Sequence, residues 1–560
     1  MYRLGISAFY HDSAAALLKD GVVVAAFEEE RFSRKKHDNT FPVQAIHACL
    51  EKEGITSEQL ESVTYYEKPL LKFERILDSI IASFPRTEKI FQLTVKEWFG
   101  QKIRVEKHIR DTLNYTGPVY FIPHHTSHAA ATFYTSPFTE AAILTADGVG
   151  EYTTTALWSA DTRGIECIKE LHFPHSLGLL YSTFTAFLGF KVNNDEYKMM
   201  GLAAYGSPRY KEKIFQMLDT KPNGSFKLKS DYFTFETSIE RLYSKKFTKL
   251  IGAPRLPSEP ITQFHKDIAA SIQEVLEEMY VALLNELHRA TKKDAVCISG
   301  GVGLNALANG KILNQTPFKK IHIFGPAGDG GSAVGAALYT HIQNNEKKTW
   351  QYLKNLSLGS SYTNEVIRSH VEKAPHTHTF CSSKKEQNKE VAKLLHEGKV
   401  GALFEGEMEY GPRALGSRSI IASPQSQEMK ERVNSIKKRE DFRPFGISVL
   451  QEHAHALFEI PMGVSDAPYM NMCFVTKKEW RENIPAVVHA DNTTRIQTVS
   501  PSPYYDVINE FYTLSGVPGI LNTSLNIKGE PLIENPEQAL HFFETQPVDF
   551  LVLGDYILTK

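Results

Sequence analysis

Three apolar runs stop abruptly at loops of glycine and aspartate, and this restricts the chain to few folds. Residues 141–145 run into Ala146-Asp147-Gly148-Val149-Gly150-Glu151. Residues 295–299 run into Gly300-Gly301-Val302-Gly303, and 321–324 run into Gly325-Pro326-Ala327-Gly328-Asp329-Gly330-Gly331. A short apolar run between turn signals reads as a buried strand. A glycine loop after it lets backbone N–H groups approach a phosphate closely, which makes Gly148, Gly150, Gly300, Gly301, Gly330 and Gly331 candidates for that contact. A helical pattern at 264–289 precedes the second run, so strands and helices alternate. Alternation predicts an α/β sheet with ligands at the strand ends. The N-terminus adds a strand at 2–8 and a hairpin, 14–18 and 22–27, turned by Asp20-Gly21. Neither a Walker A sequence nor a Rossmann fingerprint occurs.

At 560 residues the chain exceeds one ordinary core, so two domains or more are expected. A polar stretch at 344–348, weakly patterned as far as Tyr362, is the expected linker. It gives domains of 1–350 and 351–560. Residues 207–260 are rich in Lys, Ser and Phe and read as a surface insertion or lid. No internal repeat is visible. The formal net charge of −2 argues against binding duplex nucleic acid. No apolar run is long enough to cross a bilayer, and the start lacks the pattern of a secretory signal. The five cysteines are scattered with no C-x-x-C, which fits a reducing cytoplasm and neither a disulfide framework nor a thiolate zinc site.

Several constellations could carry chemistry. His124 and His128 are spaced i, i+4, so on a helix they share one face. They could grip a metal, or be histidines at a polar helix start satisfied by their neighbours. The residue after His124 is His125 rather than Glu, which disfavours the zinc-protease pattern. Asp147 and Asp329, each where a strand ends in a glycine loop, could complete a site of two imidazoles and two carboxylates. That donor set suits Fe(II), Mn(II) or Zn(II). His11-Asp12-Ser13, between the first strand and the hairpin, could supply a general base or simply a turn. In the second domain, Arg413 and Arg418 lie in a Tyr-Gly-Pro-Arg-Ala-Leu-Gly-Ser-Arg run. Lys437 and Arg443 lie in Lys-Lys-Arg-Glu-Asp-Phe-Arg-Pro-Phe, Arg495 follows, and Ser524 and Asn526 sit in Asn-Thr-Ser-Leu-Asn. Convergent guanidinium groups bind phosphates through paired N–H donors.

At these residues the chain resembles the NodU/CmcH family of O-carbamoyltransferases over nearly its whole length. The matching pieces are HDSAAAL from His11, EEERFSRKKHD from Glu28, HHTSHAA from His124, ADGVGE from Ala146, EYKMMGLAAYG from Glu196 and SGGVGLNALANG from Ser299. They continue with GDGGSAVGAAL from Gly328, YGPRALGSRSI from Tyr410, KKREDFRPF from Lys437, TRIQTV from Thr494 and NTSLNIKGEP from Asn522. The resemblance implies an actin-like (ASKHA) N-terminal domain, similar to the tRNA threonylcarbamoyl-transfer enzyme, with a metal on His124, His128, Asp147 and Asp329. Fe(II) is the first expectation, with Mn(II) and Zn(II) open. It also implies a YrdC-like α/β C-terminal domain that activates a carbamoyl group with ATP and Mg, using Arg413, Lys437, Arg443, Arg495, Ser524 and Asn526; Arg418 joins them as a nucleotide contact.

The implied reaction takes carbamoyl phosphate and ATP to carbamoyl-adenylate. The carbamoyl group then passes to a hydroxyl of a small-molecule acceptor, a sugar or natural product, with His11 or Asp12 assisting deprotonation. Lys437 and Arg443 would be catalytic in the first step. A homodimer is compatible with this reading. The rivals are an actin-like small-molecule kinase, which makes ADP, a nucleotide-binding protein without turnover, and a tRNA-modifying carbamoyltransferase, which the near-neutral charge disfavours.

Overall fold

The computed structural model describes residues 1–100, 102–238, 241–345 and 349–560. The chain divides into two compact units. The first holds Met1–Ala25 and Asn39–Leu353; the second holds Ala26–Asp38 and Lys354–Lys560. This differs from a single cut after residue 350. Residues 346–348 of the expected linker lie outside the described residues. Trp350 packs on the rings of Phe133 and Tyr134 at 5.1 and 5.2 Å, and the Leu353 N–H donates to Thr135 O, so the chain stays with the first unit up to that point. The Glu28–Asp38 stretch, near the N-terminus in sequence, belongs with the C-terminal residues. Arg31 donates to Gly411 O at 2.8 Å and Arg34 to Pro531 O at 3.0 Å, both within the second unit.

The first unit carries two five-stranded sheets of the same topology. In the first, β1 (Tyr2–Ser7), β2 (Ala14–Lys19), β3 (Val22–Glu28), β4 (Leu60–Tyr65) and β5 (Val119–Phe121) lie in the order β3-β2-β1-β4-β5. Strand β1 is antiparallel to β2 and parallel to β4, and β4 is parallel to β5. Asp20 (φ 51°) and Gly21 (φ 86°) turn the β2–β3 hairpin, the positive-φ pair that a two-residue turn needs. The second sheet holds β6 (Ala141–Ala146), β7 (Thr153–Asp161) and β8 (Gly164–His172). After a separate two-stranded ribbon of β9 (Leu218–Thr220) and β10 (Phe226–Leu228), it gains β11 (Ala295–Ser299) and β12 (Lys320–Ile323). Its order is β12-β11-β6-β7-β8, with β6 antiparallel to β7 and parallel to β11, and β11 parallel to β12. The same strand order occurs twice, which is the actin-like arrangement. This is a repeat that the sequence reading missed, because what recurs is strand order and not residue identity.

Residues 207–260 are more than a surface insertion. Ile214, Met217, Leu218, Phe226, Phe247 and Ile251 are buried, and the Phe247 ring lies 5.1 Å from Phe184 and 5.5 Å from Phe187. Aromatic residues without helical or strand periodicity hide a core built from short pieces.

The helix His124–Phe133 is buried along its whole length and packs on the helix Asp329–Asn344. Glycine makes this approach close. A Cβ on Gly335 would overlap the Ser127 carbonyl oxygen, and one on Gly5 would overlap that of Ala333. The two helices carry three of the four expected metal ligands, so their spacing sets the site.

The second unit is built on one mixed sheet. Its strands are β13 (Thr377–Phe380), β14 (Gly401–Phe404), β15 (Arg418–Ala422), β16 (Gly446–Leu450), β17 (Met472–Val475), β18 (Thr493–Val499), β19 (Gly519–Ser524), β20 (Phe550–Leu553) and β21 (Tyr556–Thr559). They run in the order β13-β21-β20-β14-β15-β19-β16-β18-β17. Both units are therefore α/β. No helix among the described residues is long and apolar enough to cross a membrane.

Because Gly335 meets backbone, no side-chain rotation relieves an added methyl. Gly335→Ala is expected to lower unfolding free energy by about 1–3 kcal/mol in denaturant titration, and to reduce metal retention at the same time.

Candidate functional site

Strand direction brings the first group together. Strands β6, β11 and β12 are parallel, so Asp147, Ser299 and Asp329 all lie at or beyond their C-terminal ends. Asp147 follows β6 directly, and Asp329 opens its helix. His124 and His128 project from the first two turns of the buried helix. The four residues form one cluster, each offering a ligand atom within 4.8 Å of the others. His124 Nε2 and His128 Nε2 are 3.1 Å apart and lie 3.1 and 3.2 Å from Asp147 Oδ2. Asp329 Oδ1 is 3.6 and 3.4 Å from the same two nitrogens.

These atoms fit a bound cation. Ligands on an ion with bonds of about 2.1 Å lie about 3.0–4.2 Å apart. Asp329 is fully buried, and neither of its carboxylate oxygens has a hydrogen-bond partner in the protein. A buried carboxylate without partners is costly unless a cation neutralises it. Two imidazoles with carboxylates suit Fe(II), Mn(II) or Zn(II). Supporting groups hold the ligands in place. Asp147 Oδ1 accepts from the N–H groups of Gly148 at 2.7 Å and Gly301 at 3.2 Å. His128 Nδ1 lies 3.3 Å from Ser299 Oγ and 3.2 Å from Ser332 Oγ. Glu151 accepts from the His124 N–H at 3.0 Å, and Glu67 lies 3.9 Å from His124 Nδ1. Burial opposes the charged form of His128, but the Asp147 and Asp329 carboxylates beside it outweigh that and raise it to about 9.

His11 stands at the edge of this cluster. Its Nδ1 is 2.9 Å from Asp12 Oδ2, and its Nε2 is 3.8 Å from Asp329 Oδ2. Burial disfavours its charged form, yet Asp329 and Asp12 raise it to about 10. A cation on the aspartates would remove much of that field.

The glycine loops act differently from the expectation. The Gly148 and Gly301 N–H groups bond Asp147, Gly150 N–H bonds Thr153 O, and Gly300 N–H bonds Ala327 O. These donors are taken within the protein, so they do not form a free phosphate cradle. The glycines serve close approach instead. A Cβ on Gly300 (φ 93°) would overlap Ala146 O, and one on Gly150 would press on the His124 ring at 3.0 Å. Gly330 sits in the first turn of the helix that Asp329 opens, and a Cβ on Gly331 would overlap Pro326 O.

The basic residues meet at one end of the second unit's sheet. Strand β19 is antiparallel to β15 and β16, and β18 is parallel to β16. The end of β19 therefore meets the loops that enter β15 and β16. Ser524 and Asn526 come from that end, Arg413 from the loop before β15, and Lys437 and Arg443 from the segment before β16. Arg495 pairs across from Gly446 at the start of β16. Lys437 is buried and donates to Ser524 O, to Asn526 O at 2.9 Å and to Asn526 Oδ1 at 2.8 Å. Burial, then Arg439, Arg443 and Lys36, hold its ammonium well below the ordinary lysine value. Burial lowers Arg495 as well, and its Nε has no hydrogen-bond partner in the protein. A buried lysine with half-buried arginines beside it, one of them with Glu440 at 3.8 Å, makes a basic site suited to a polyanion.

Arg418 does not belong to that receptor. It is fully buried, donates to the carbonyls of Glu405, Gly406, Ser417 and Ser360, and stacks 3.7 Å from the Phe404 ring centroid. Its N–H groups fix loops, and its place as the first residue of a central strand turns it inward.

Family models for the carbamoyltransferase N-terminus and C-terminus match residues 2–338 and 392–560. The chain belongs to the carbamoyltransferase family. The uncharacterized protein sll1178 of Synechocystis is 42% identical over 100% of this chain and 96% of its own length. The nodulation protein NolNO of Sinorhizobium fredii is 34% identical over 99% of this chain and 79% of its own. Among solved structures, HypF of T. kodakarensis aligns at 15% identity and a TM-score of 0.32, covering 61% of this chain and 48% of that one, too distant to add to the strand topology.

Sequence reasoning on this carbamoyltransferase missed the supporting residues. Glu67, Glu151, Ser299 and Ser332 touch the ligand cluster, and Glu409 organises the Arg413 loop by accepting from the N–H groups of Leu415 at 2.8 Å, Ser417 at 2.6 Å and Arg418 at 3.1 Å. The two serines flank the glycine loops already singled out, which was a usable signal. Glu151 closes a quoted glycine loop and shared that signal; Glu67 and Glu409 carry none in a single sequence.

The protein purified with metal is expected to hold about one transition-metal ion per chain by elemental analysis. Asp329→Ala and His128→Ala are each expected to lower that content at least tenfold while the protein remains folded by circular dichroism.

Proposed function

We propose that this carbamoyltransferase is an ATP-dependent O-carbamoyltransferase in which the second unit makes carbamoyl-adenylate and the first passes the carbamoyl group to an acceptor hydroxyl. What supports this most is the pairing of two unlike sites on one chain: a buried cation pocket around Lys437, and a carboxylate, Asp329, left without hydrogen bonds beside two imidazoles. The first is built to hold phosphates, the second to hold a divalent metal.

In the second unit, carbamoyl phosphate gives up its phosphate to water. The resulting carbamate oxygen attacks the α-phosphorus of ATP, a new P–O bond forms, and pyrophosphate leaves. Lys437, Arg443 and Arg495, with Arg413 at the edge, offset charge on the transferring groups, and Mg accompanies the ATP. Ser524 and Asn526 aim the Lys437 ammonium. In the first unit, the oxygen of the acceptor attacks the carbamoyl carbon, the bond to the AMP oxygen breaks, and AMP departs. His11, steadied by Asp12, is placed to receive the acceptor's proton. A divalent metal on His124, His128, Asp147 and Asp329 would supply Lewis acidity toward the carbamoyl group. The acceptor is a hydroxylated small molecule such as a sugar or natural product.

Incubation with carbamoyl phosphate and ATP is expected to release AMP and pyrophosphate; production of ADP alone would mean a kinase. Arg443→Ala is expected to abolish pyrophosphate release yet keep transfer from supplied carbamoyl-adenylate. Loss of both half-reactions in a folded Arg443→Ala protein would contradict the division of labour.

A further inference from the structure

Arg75, on the helix Pro69–Ala82, has no role in the sites above. It is 9% exposed, its Nε is buried without a hydrogen-bond partner, and among the described residues no ion pair holds its guanidinium. Its guanidinium lies over the face of Phe173, 4.8 Å from the ring centroid. A buried N–H left in this state is costly, and the Nη groups of the same fork, which are not closed off, stay available to a ligand. The acidic groups whose fields reach it are already committed. Glu67 is paired with Lys72 at 2.6 Å. Glu151 accepts from the N–H groups of His124 at 3.0 Å and Lys68 at 2.7 Å. Tyr152 donates to Asp78 at 2.9 Å.

The position of Arg75 ties it to the metal-ligand cluster. Its helix begins two residues after Glu67, which lies 3.9 Å from His124 Nδ1. On the same helix Lys72 sits 4.9 Å from the Tyr10 ring centroid. The Tyr10 hydroxyl covers Gly148, beside Asp147, and Arg75 lies close enough to act on that phenol electrostatically. The carboxylates whose fields reach Arg75 are Glu67 and Glu151. An extra cation that pairs with none of them is placed for something that arrives from outside.

We propose that Arg75 binds an oxyanion of the ligand at the transfer site, a phosphate oxygen of the nucleotide or an acid group of the acceptor, through its paired N–H donors. This rests on reading the first unit as the transfer site. The Phe173 ring lies under the guanidinium and backs it on one side. The residue thereby selects for ligands that carry negative charge next to the hydroxyl under attack.

The test is calorimetric titration of the metal-loaded full chain and of Arg75→Gln and Arg75→Lys. The probes are AMP against adenosine, inorganic phosphate, and gluconate against glucose. Metal content by elemental analysis is expected to match in all three proteins. Arg75→Gln is expected to weaken an anionic probe about tenfold or more while its neutral counterpart is unchanged. Arg75→Lys, which keeps the charge without the planar fork, is expected to fall between. Loss confined to AMP and phosphate assigns the oxyanion to the nucleotide; loss confined to gluconate assigns it to the acceptor. Equal affinities across the three proteins overturn the proposal. So does a wild-type protein that binds AMP no better than adenosine and neither phosphate nor gluconate, a result that needs no folded variant. A failure to release pyrophosphate would sink the reading of the reaction and leave these affinities as they are.

Discussion

Two imidazole nitrogens and two carboxylates are held against one another in the interior of the first unit, with the Asp329 oxygens left unbonded by the protein. Water cannot solvate them there, and they are too close to be indifferent to each other. Their mutual approach is unfavourable unless a cation, as proton or metal, sits among them. The architecture around the cluster serves that closeness. The helix carrying both histidines approaches the helix carrying Asp329 at glycine, and three parallel strands deliver the remaining groups to a common edge. The serines, glutamates and loop N–H groups around the cluster lock ring and carboxylate orientations. A cation site of this kind stays geometrically ready before anything binds.

The second unit solves the opposite problem. Buried Lys437 and half-buried Arg443 and Arg495 crowd positive charge, offset in part by Ser524 and Asn526 on Lys437 and by Glu440 beside Arg443. A carboxylate cluster suited to a cation and a basic cluster suited to phosphate therefore occupy one chain. That contrast suits a reaction with a phosphate-handling half and a metal-assisted half, and it is unexpected in a protein that needs only one nucleotide cleft. Residues 26–38 contribute Arg31 and Arg34 to the loops of the second unit, so the N-terminal stretch is part of that site's scaffold.

Much of this was legible before the structure. Each residue of the candidate metal cluster sat in a context with a physical signature: an i, i+4 histidine pair, or an aspartate ending an apolar strand. The Arg-Pro-Phe and Asn-Thr-Ser-Leu-Asn contexts marked the cation pocket in the same way. What escaped was everything that depends on packing. Arg418 looked like a ligand because it shares a loop with Arg413, but it opens a strand buried on both faces, where carbonyls and the Phe404 ring take its guanidinium. The glycine loops looked like phosphate cradles because glycine frees N–H groups, and only the fold shows those groups already bonded. The duplicated sheet escaped because strand order leaves no mark in residue identity. Glu67, Glu151 and Arg75 escaped because isolated charged residues look alike in sequence, whether solvated or buried.

X-ray absorption at the metal edge of the purified protein tests the central claim most directly. The account expects a first shell containing two imidazoles and carboxylate oxygen, with the imidazole signal diminished in His128→Ala. A shell of oxygen alone, or one that His128→Ala leaves unchanged, would contradict it.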